Sequence, residues 1–86
     1  MVWRRREDVL WRRSLDSVIL LPIDADEPVT LPGTGASVWD LLDEPATVDQ
    51  LVVVLAEAYD ADPATVEHDV RALLGELEGL SAVAHD

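Results

Sequence analysis

The sequence predicts an α+β domain in which a small antiparallel sheet precedes three helices. The first third of the 86-residue chain holds short β-rich runs separated by polar or proline-bounded connections. The remainder repeats apolar residues at helical spacing. An apolar content of 49% is typical of a globular protein, and this length allows one modest core. We therefore expect a single domain over residues 1–86, with its core at about residues 9–83.

The first two predicted strands form a hairpin. Residues 9–13 and 17–21 are rich in β-branched, aromatic and long aliphatic side chains, and the polar segment Ser14-Leu15-Asp16 joins them. In the second run nearly every residue is apolar, which is typical of a strand buried on both faces.

A proline-bounded loop leads to the third predicted strand. The loop spans residues 22–28 and carries the solvated side chains of Asp24, Asp26 and Glu27. Residues 29–31 then form a short strand that Pro32-Gly33 ends. A short edge strand of this kind is a template on which another chain can pair.

The first predicted helix covers residues 34–42, and Thr34 is its candidate cap. Its apolar face carries Val38, Leu41 and Leu42, with Trp39 at the margin of that face. Gly33 and Gly35 around Thr34 are interpreted as turn residues, with glycine supplying an unusual φ.

The second and third predicted helices have clear start signals. Thr47 followed by Gln50 fits a capping box, and Pro63 fits the first helical position after Asp62. The second helix carries the apolar residues Leu51, Val52, Val54, Leu55, Ala58 and Tyr59. The stripe of the third helix consists of Val66, Val70, Leu73, Leu74 and Leu77. Gly79 is expected to end the third helix, and a final extended piece over residues 80–83 is left open. The βββααα order is winged helix-turn-helix-like.

Charge disfavours several partners. The chain has a net charge of −12, and five of its six arginines lie within the first 13 residues. This acidity repels phosphate backbones, so a winged-helix DNA binder is a remote alternative.

The longest apolar run is too short to span a membrane, and no signal peptide is expected. The lack of cysteine suits a reducing cytoplasm, where we expect the protein to act.

The residues offer no convincing catalytic, cofactor or metal site. His68 lies opposite the apolar stripe and His85 lies in the tail, so both are expected to be solvated. The acidic loop lacks the ligand spacing of a calcium site, and Gly33 and Gly35 are too few for a phosphate cradle. We expect no enzyme activity from the chain alone.

One alternative of another class is an acyl or peptidyl carrier protein. Asp16-Ser17-Val18 in an acidic chain of this length is similar to the Asp-Ser-Leu attachment site of such carriers. In a carrier that serine stands at the start of a helix, whereas β-type runs flank Ser17 here.

The strongest resemblance rests on an ordered set of motifs. They are Trp11-Arg12, Val18-Ile-Leu-Leu, Leu31-Pro-Gly-Thr-Gly-Ala, Val38-Trp39-xx-Leu42, Thr47-Val-xx-Leu51, Tyr59 and Asp69-Val70-xx-Leu73-Leu74-xx-Leu77. In this order they resemble the PqqD-like family, the RiPP recognition elements, and in particular the stand-alone proteins of lasso-peptide biosynthesis. The family usually closes with a Gly-Leu-Val-like strand, whereas this chain reads Gly79-Leu80-Ser81-Ala82-Val83.

The resemblance implies a non-catalytic adaptor. The leader of a ribosomally made precursor peptide would add a strand to the third predicted strand and pack on the third helix. In lasso-type leaders a Tyr, followed by a Pro three residues later, would fill the groove. A separate transglutaminase-like leader peptidase, with a cyclase, would then act on the precursor. The alternative within the same fold is a peptide chaperone for a radical-SAM maturase.

The expected peptide-binding residues come from these two elements. They are Val29, Thr30, Leu31, Pro32, Val66, Asp69, Val70, Leu73, Glu76 and Leu77.

Overall fold

The computed structural model describes residues 1–22 and 26–86, and these form two small sheets and three helices. The strands are β1 (Trp3–Arg5), β2 (Leu10–Ser14), β3 (Ser17–Leu21), β4 (Val29–Pro32) and β5 (Val83–His85). The helices are α1 (Thr34–Leu41), α2 (Val48–Ala58) and α3 (Pro63–Gly79). Asp24, one of the predicted loop charges, lies outside the described residues.

The predicted three-stranded antiparallel sheet is confirmed, with the order β2-β3-β4. Val18 and Leu20 of β3 are fully buried against the helices, whereas Leu21 is 45% exposed and Ile19 is half-buried. The expectation that this strand is buried on both faces is therefore wrong. The helices cover only one face of the sheet, so the alternate side chains of β3 face outward.

The hairpin between β2 and β3 contains a strained residue. Leu15 has a φ of 55° and is 94% exposed, so a bulky side chain occupies the left-handed region without any burial. That conformation costs an L-residue roughly 1–2 kcal/mol, whereas glycine adopts it freely.

Replacing Leu15 with glycine should therefore stabilise the protein by about 0.5–1 kcal/mol, once the greater unfolded-state entropy of glycine is subtracted. For a domain of this size that is a rise of roughly 2–8 °C in Tm, measured by thermal denaturation. Leu15→Ala is the matched control, because it removes the same exposed side chain but retains the strained φ. Equal melting temperatures for the two variants would show that the backbone is not the source of the strain.

The helix starts agree with the sequence, with one exception. Thr47 and Gln50 form both hydrogen bonds of the capping box, at 3.1 and 2.9 Å, and Pro63 occupies the first position of α3. Thr34 does not cap α1. Gly33 is the N-cap residue, at φ 55° and ψ −121°, so α1 has no side-chain hydrogen bond at its N-cap. The unusual φ expected of the two glycines is confirmed for Gly33, whereas Gly35 lies within α1 and has no positive φ.

The ends of α2 and α3 share a hydrogen-bond pattern that closes the helices without glycine. Asp60 and Ser81 take left-handed conformations, at φ 49° and 60°. In each case the next residue donates its N–H to a carbonyl five residues earlier, from Ala61 to Ala56 and from Ala82 to Leu77. This is the Schellman arrangement. Gly79 is thus the last helical residue of α3 rather than the turning residue.

Of the two terminal strands, β1 was not expected, and it lies before the predicted core of about residues 9–83. β1 and β5 pair antiparallel, with Arg4 opposite Ala84. Trp3 is 8% exposed and exchanges two backbone hydrogen bonds with Ala46, at 2.8 and 2.9 Å. The open question of a final strand is answered by β5, which pairs with β1 and not with the larger sheet.

Arg5 ties β1 to the first helix through aromatic rings. Its guanidinium lies 4.8 Å from the centroid of Trp11 and 4.9 Å from that of Trp39. Its Nε donates to the carbonyl oxygen of Trp39 at 3.0 Å. Burial lowers the pKa of Arg5, and the carboxylates of Asp43 and Asp40 oppose that shift. Trp39 itself is fully buried rather than marginal.

The apolar face of α2 is narrower than the sequence suggested. Leu51, Val52 and Leu55 are buried, whereas Val54 is 46% exposed. Tyr59 follows the end of the helix, is 49% exposed, and has its hydroxyl 2.6 Å from that of Ser37.

Candidate functional site

The register of the larger sheet determines which backbone groups its edge presents. Ser14 and Ser17 pair across the two-residue turn, so their N–H and C=O groups point at each other. Because these directions alternate along a strand, Val18 and Leu20 direct their backbone groups toward β4.

Thr30 is therefore the donor on the outer edge of β4. Val18 lies opposite Leu31 and Leu20 lies opposite Val29, so Leu31 and Val29 bond to β3. The residues between and beside them, Pro28, Thr30 and Pro32, direct their backbone groups away from the sheet. Since proline has no N–H, Thr30 supplies the one outward donor of residues 28–32. No described strand pairs with this edge.

A groove of about 310 Å³ lies between this edge and α3, and the start of α1 forms its floor. The residues that line it are Thr30, Leu31, Pro32, Thr34, Gly35, Val38, Asp69, Val70, Leu73 and Glu76.

The groove has an apolar base and an acidic rim. Val38 and Val70 are essentially fully buried and Leu73 is half-buried. Asp69 and Glu76 are exposed and lie seven residues apart on one face of α3, which is roughly 10 Å along the helix axis. Neither carboxylate has an ion-pair partner in the part of the chain that the structure describes.

Gly35 keeps the floor of the groove open. A Cβ atom on this residue would lie 3.4 Å from Cβ of Leu31 and 3.9 Å from Cδ1 of Leu73. A larger side chain would extend from that point between β4 and α3. The missing side chain therefore creates the space into which a ligand side chain could enter.

The structure brings most of the predicted site residues together. The lining includes Thr30, Leu31, Pro32, Asp69, Val70, Leu73 and Glu76. Three others stand apart: Val66 and Leu77 are buried in the core, at 8% and 1% exposure, and half-buried Val29 lies outside the lining. The sequence reasoning missed Thr34, Gly35 and Val38. The only signal for Gly35 was a glycine just inside a predicted helix, where it disfavours helix formation.

The histidines occupy different environments. His68 is exposed on α3, as expected. His85 is not simply solvated, because its ring lies 4.5 Å from that of Trp3 and its Nε2 lies 2.8 Å from Oε2 of Glu78. Over residues 1–22 and 26–86, no group of three or more acidic, histidine or cysteine side chains is arranged to hold a metal ion. Within the same residues, no helix combines the length and apolar character that crossing a bilayer requires.

The sequence profile of the family described as coenzyme PQQ synthesis protein D (PqqD) matches residues 17–83. The chain belongs to the PqqD family. The matched segment contains β3, β4 and all three helices, and hence every residue that lines the groove.

Two solved structures share the fold of this PqqD-family chain. TbiB1, solved in complex with the TbiA(beta) leader peptide, is 26% identical with a TM-score of 0.85, over 96% of this chain and 99% of TbiB1. The PqqD truncation of Methylobacterium extorquens PqqCD, a stand-alone RiPP recognition element, is 28% identical with a TM-score of 0.80, over 98% and 89% of the two chains. A comparison with curated proteins gave no match.

These comparisons confirm the family resemblance and the α+β arrangement of sheet and helices. The secondary structure also argues against the carrier-protein alternative, since Ser17 is the first residue of β3 and not of a helix. The geometric basis for a phosphopantetheine attachment site is therefore missing.

Proposed function

We propose that this protein binds the leader region of a ribosomally synthesised precursor peptide and presents it to separate maturation enzymes. The leader adds a strand along β4 and sets its side chains into the groove against α3. The observation that carries this proposal is the free edge of β4 facing an apolar groove. Strand addition uses backbone hydrogen bonds for affinity and side-chain pockets for specificity, and this site offers both.

The flanking prolines support a site for one peptide rather than for aggregation. Pro28 and Pro32 remove the outward N–H groups on either side of Thr30, so a long sheet cannot grow from this edge. A single short segment can still pair at Thr30.

Lasso-peptide biosynthesis is the proposed context, in which a transglutaminase-like leader peptidase and a cyclase act on the presented precursor. The whole-chain similarity to TbiB1, whose structure holds a leader peptide, supports it. The M. extorquens relative keeps a second context open, a peptide chaperone for a radical-SAM maturase. In both contexts the protein acts as a cytoplasmic adaptor without catalytic activity or a cofactor.

The direct test is titration of fluorescently labelled leader peptides onto the purified protein. A lasso-type leader with a Tyr and a Pro three residues later should bind more tightly than its Tyr→Ala version and than the leader of a precursor that a radical-SAM maturase modifies. Tighter binding of that second leader would favour the maturase context. Incubation with full precursor should leave its mass unchanged, and cleaved or cyclised product would overturn the adaptor role.

The acidic rim should contribute to capture of a basic leader. Asp69→Lys is expected to weaken binding about tenfold, mainly through slower association, because it places a cation on the rim of the groove. Raising salt from about 0.05 to 0.5 M should act in the same direction, since the screening length falls from roughly 14 to 4 Å.

Glu57→Lys is the matched control for that charge change. Glu57 is exposed on α2 and does not line the groove, so it should leave the affinity within about twofold. Salt-independent binding together with wild-type affinity of Asp69→Lys would assign recognition to shape and backbone pairing alone.

A further inference from the structure

The outer face of the β2–β3 hairpin carries an apolar patch that lies apart from the groove between β4 and α3. A shallow cavity of about 280 Å³ lies on it, lined by Leu10, Trp11, Arg12, Ile19, Leu21 and Pro28. Leu10 and Leu21 are 66% and 45% exposed and lie opposite each other in the sheet. Contiguous apolar side chains at a protein surface mark interaction sites, whereas scattered ones need no explanation.

Arg12 gives this patch its charge. It lies opposite Ile19 in the sheet and lines the cavity. The other arginines are all engaged: Arg4 with Asp86, Arg5 with Asp43, Arg6 with Asp8, Arg13 with Asp40 and Arg71 with Glu67. Arg12 has no hydrogen-bond or ion-pair partner among the described residues, although the chain carries 18 carboxylates.

We propose that this face is a second docking surface, for a protein segment that presents a carboxylate beside apolar side chains. The carboxylate would pair with Arg12, and the apolar side chains would cover Leu10, Ile19 and Leu21. The proposal goes beyond leader binding, because the residues that line the patch and those that line the groove do not overlap.

Charge favours this occupant over other candidates. Pairing of two copies through β2 would bring Arg12 and Arg13 of one strand close to those of the other, and like charges in adjacent strands repel. A net charge of −12 disfavours an anionic membrane. Arg12 is the one charged residue that lines the patch, so a single carboxylate beside apolar side chains complements it.

The test uses the full-length protein labelled with ¹⁵N and two synthetic peptides. One peptide alternates Val with Glu, and the other has Lys in place of every Glu. The acidic peptide should shift the amide signals of β2 and β3 and should bind at least tenfold more tightly than the basic one. Equal binding of the two peptides, or signal changes confined to β4 and α3, would overturn the proposal.

Matched variants separate charge from apolar contact. Arg12→Glu should weaken acidic-peptide binding at least tenfold, whereas Arg71→Glu, the same charge change on α3, should leave it within twofold. Leu21→Ser should weaken binding, whereas Leu15→Ser, at the exposed hairpin tip, should not. Wild-type affinity of both Arg12→Glu and Leu21→Ser would rule out this surface.

Two further measurements cover the other occupants and the link to leader binding. Concentration-dependent dimerisation in sedimentation, or binding to phosphatidylglycerol vesicles that Arg12→Glu abolishes, would replace the proposal with self-association or membrane contact. Leader affinity should be unchanged in Arg12→Glu. If the wild-type protein binds no leader but binds the acidic peptide on β2 and β3, the proposed function fails and the second surface stands.

Discussion

Replacing Thr30 with proline is expected to weaken leader binding at least tenfold while leaving the protein folded. The N–H of Thr30 points away from β3, so the β3–β4 ladder loses no hydrogen bond when proline removes it. The leader strand, in contrast, loses the one N–H that this edge donates to it, and the proline ring occupies the position of that hydrogen. An acceptor left unsatisfied costs about 1–3 kcal/mol, and 1.4 kcal/mol corresponds to a tenfold change in Kd.

Two control substitutions, one at Thr30 and one at the adjacent Leu31, distinguish loss of the outward N–H from other effects. Thr30→Val keeps the N–H and removes only the side-chain hydroxyl, so its leader affinity should remain within about twofold of wild type. Leu31→Pro should unfold the protein, because the N–H of Leu31 bonds to β3 and its side chain is 7% exposed. Circular dichroism establishes which variants are folded. A folded Thr30→Pro protein with wild-type affinity would exclude strand addition along β4.

Local sequence signals predicted the elements whose stabilising contacts are local or periodic. The capping box of Thr47 and Gln50 is complete within four residues, and the stripe of α3 repeats at helical spacing, so both could be read without knowledge of the fold. The order of the three strands followed from their turns. The edge position of β4 followed from its short length and its prolines.

The parts of the fold and of the groove that the sequence did not predict depend on contacts between residues far apart in the chain. β1 is three residues long and pairs with β5 at the other end of the chain, so no local pattern marked it as a strand. The guanidinium of Arg5 lies 4.8 and 4.9 Å from the ring centroids of Trp11 and Trp39, and no local pattern in the sequence indicates these contacts. Gly35 contributes to the groove by having no side chain, and only the approach of Leu31 and Leu73 gives that absence a meaning.

The one-sided burial of β3 could not be predicted either, because it also depends on contacts with residues distant in the chain. A run of apolar residues has the same composition whether one or both faces are covered, and only the placement of the helices decides between them. The outward Ile19 and Leu21 thus become a surface feature that composition alone assigned to the core.

Trp39→Ala is expected to destabilise the protein strongly, although it leaves every backbone hydrogen bond in place. Trp39 is fully buried, packs edge-on against Trp11 with ring centroids 5.9 Å apart, and offers its face to the guanidinium of Arg5. Truncating a buried Trp to Ala costs about 3–5 kcal/mol, through lost burial and the cavity left behind. Small domains have total stabilities of about 5–15 kcal/mol, so this loss is a large share of the total.

Trp39→Phe separates packing from the polar atom of the indole. Nε1 of Trp39 is buried and has no hydrogen-bond partner among the described residues, so replacing the indole with a phenyl ring removes no bond and relieves an unsatisfied donor. Trp39→Phe should therefore lower the free energy of unfolding far less than Trp39→Ala while keeping an aromatic face for Arg5.

Urea denaturation of both variants gives the two free energies of unfolding. Leu74→Ala, at another fully buried position, should cost about 2–5 kcal/mol and calibrates the comparison. Equal, small losses for Trp39→Ala and Trp39→Phe, beside a large loss for Leu74→Ala, would mean that the core does not depend on the packing of Trp39.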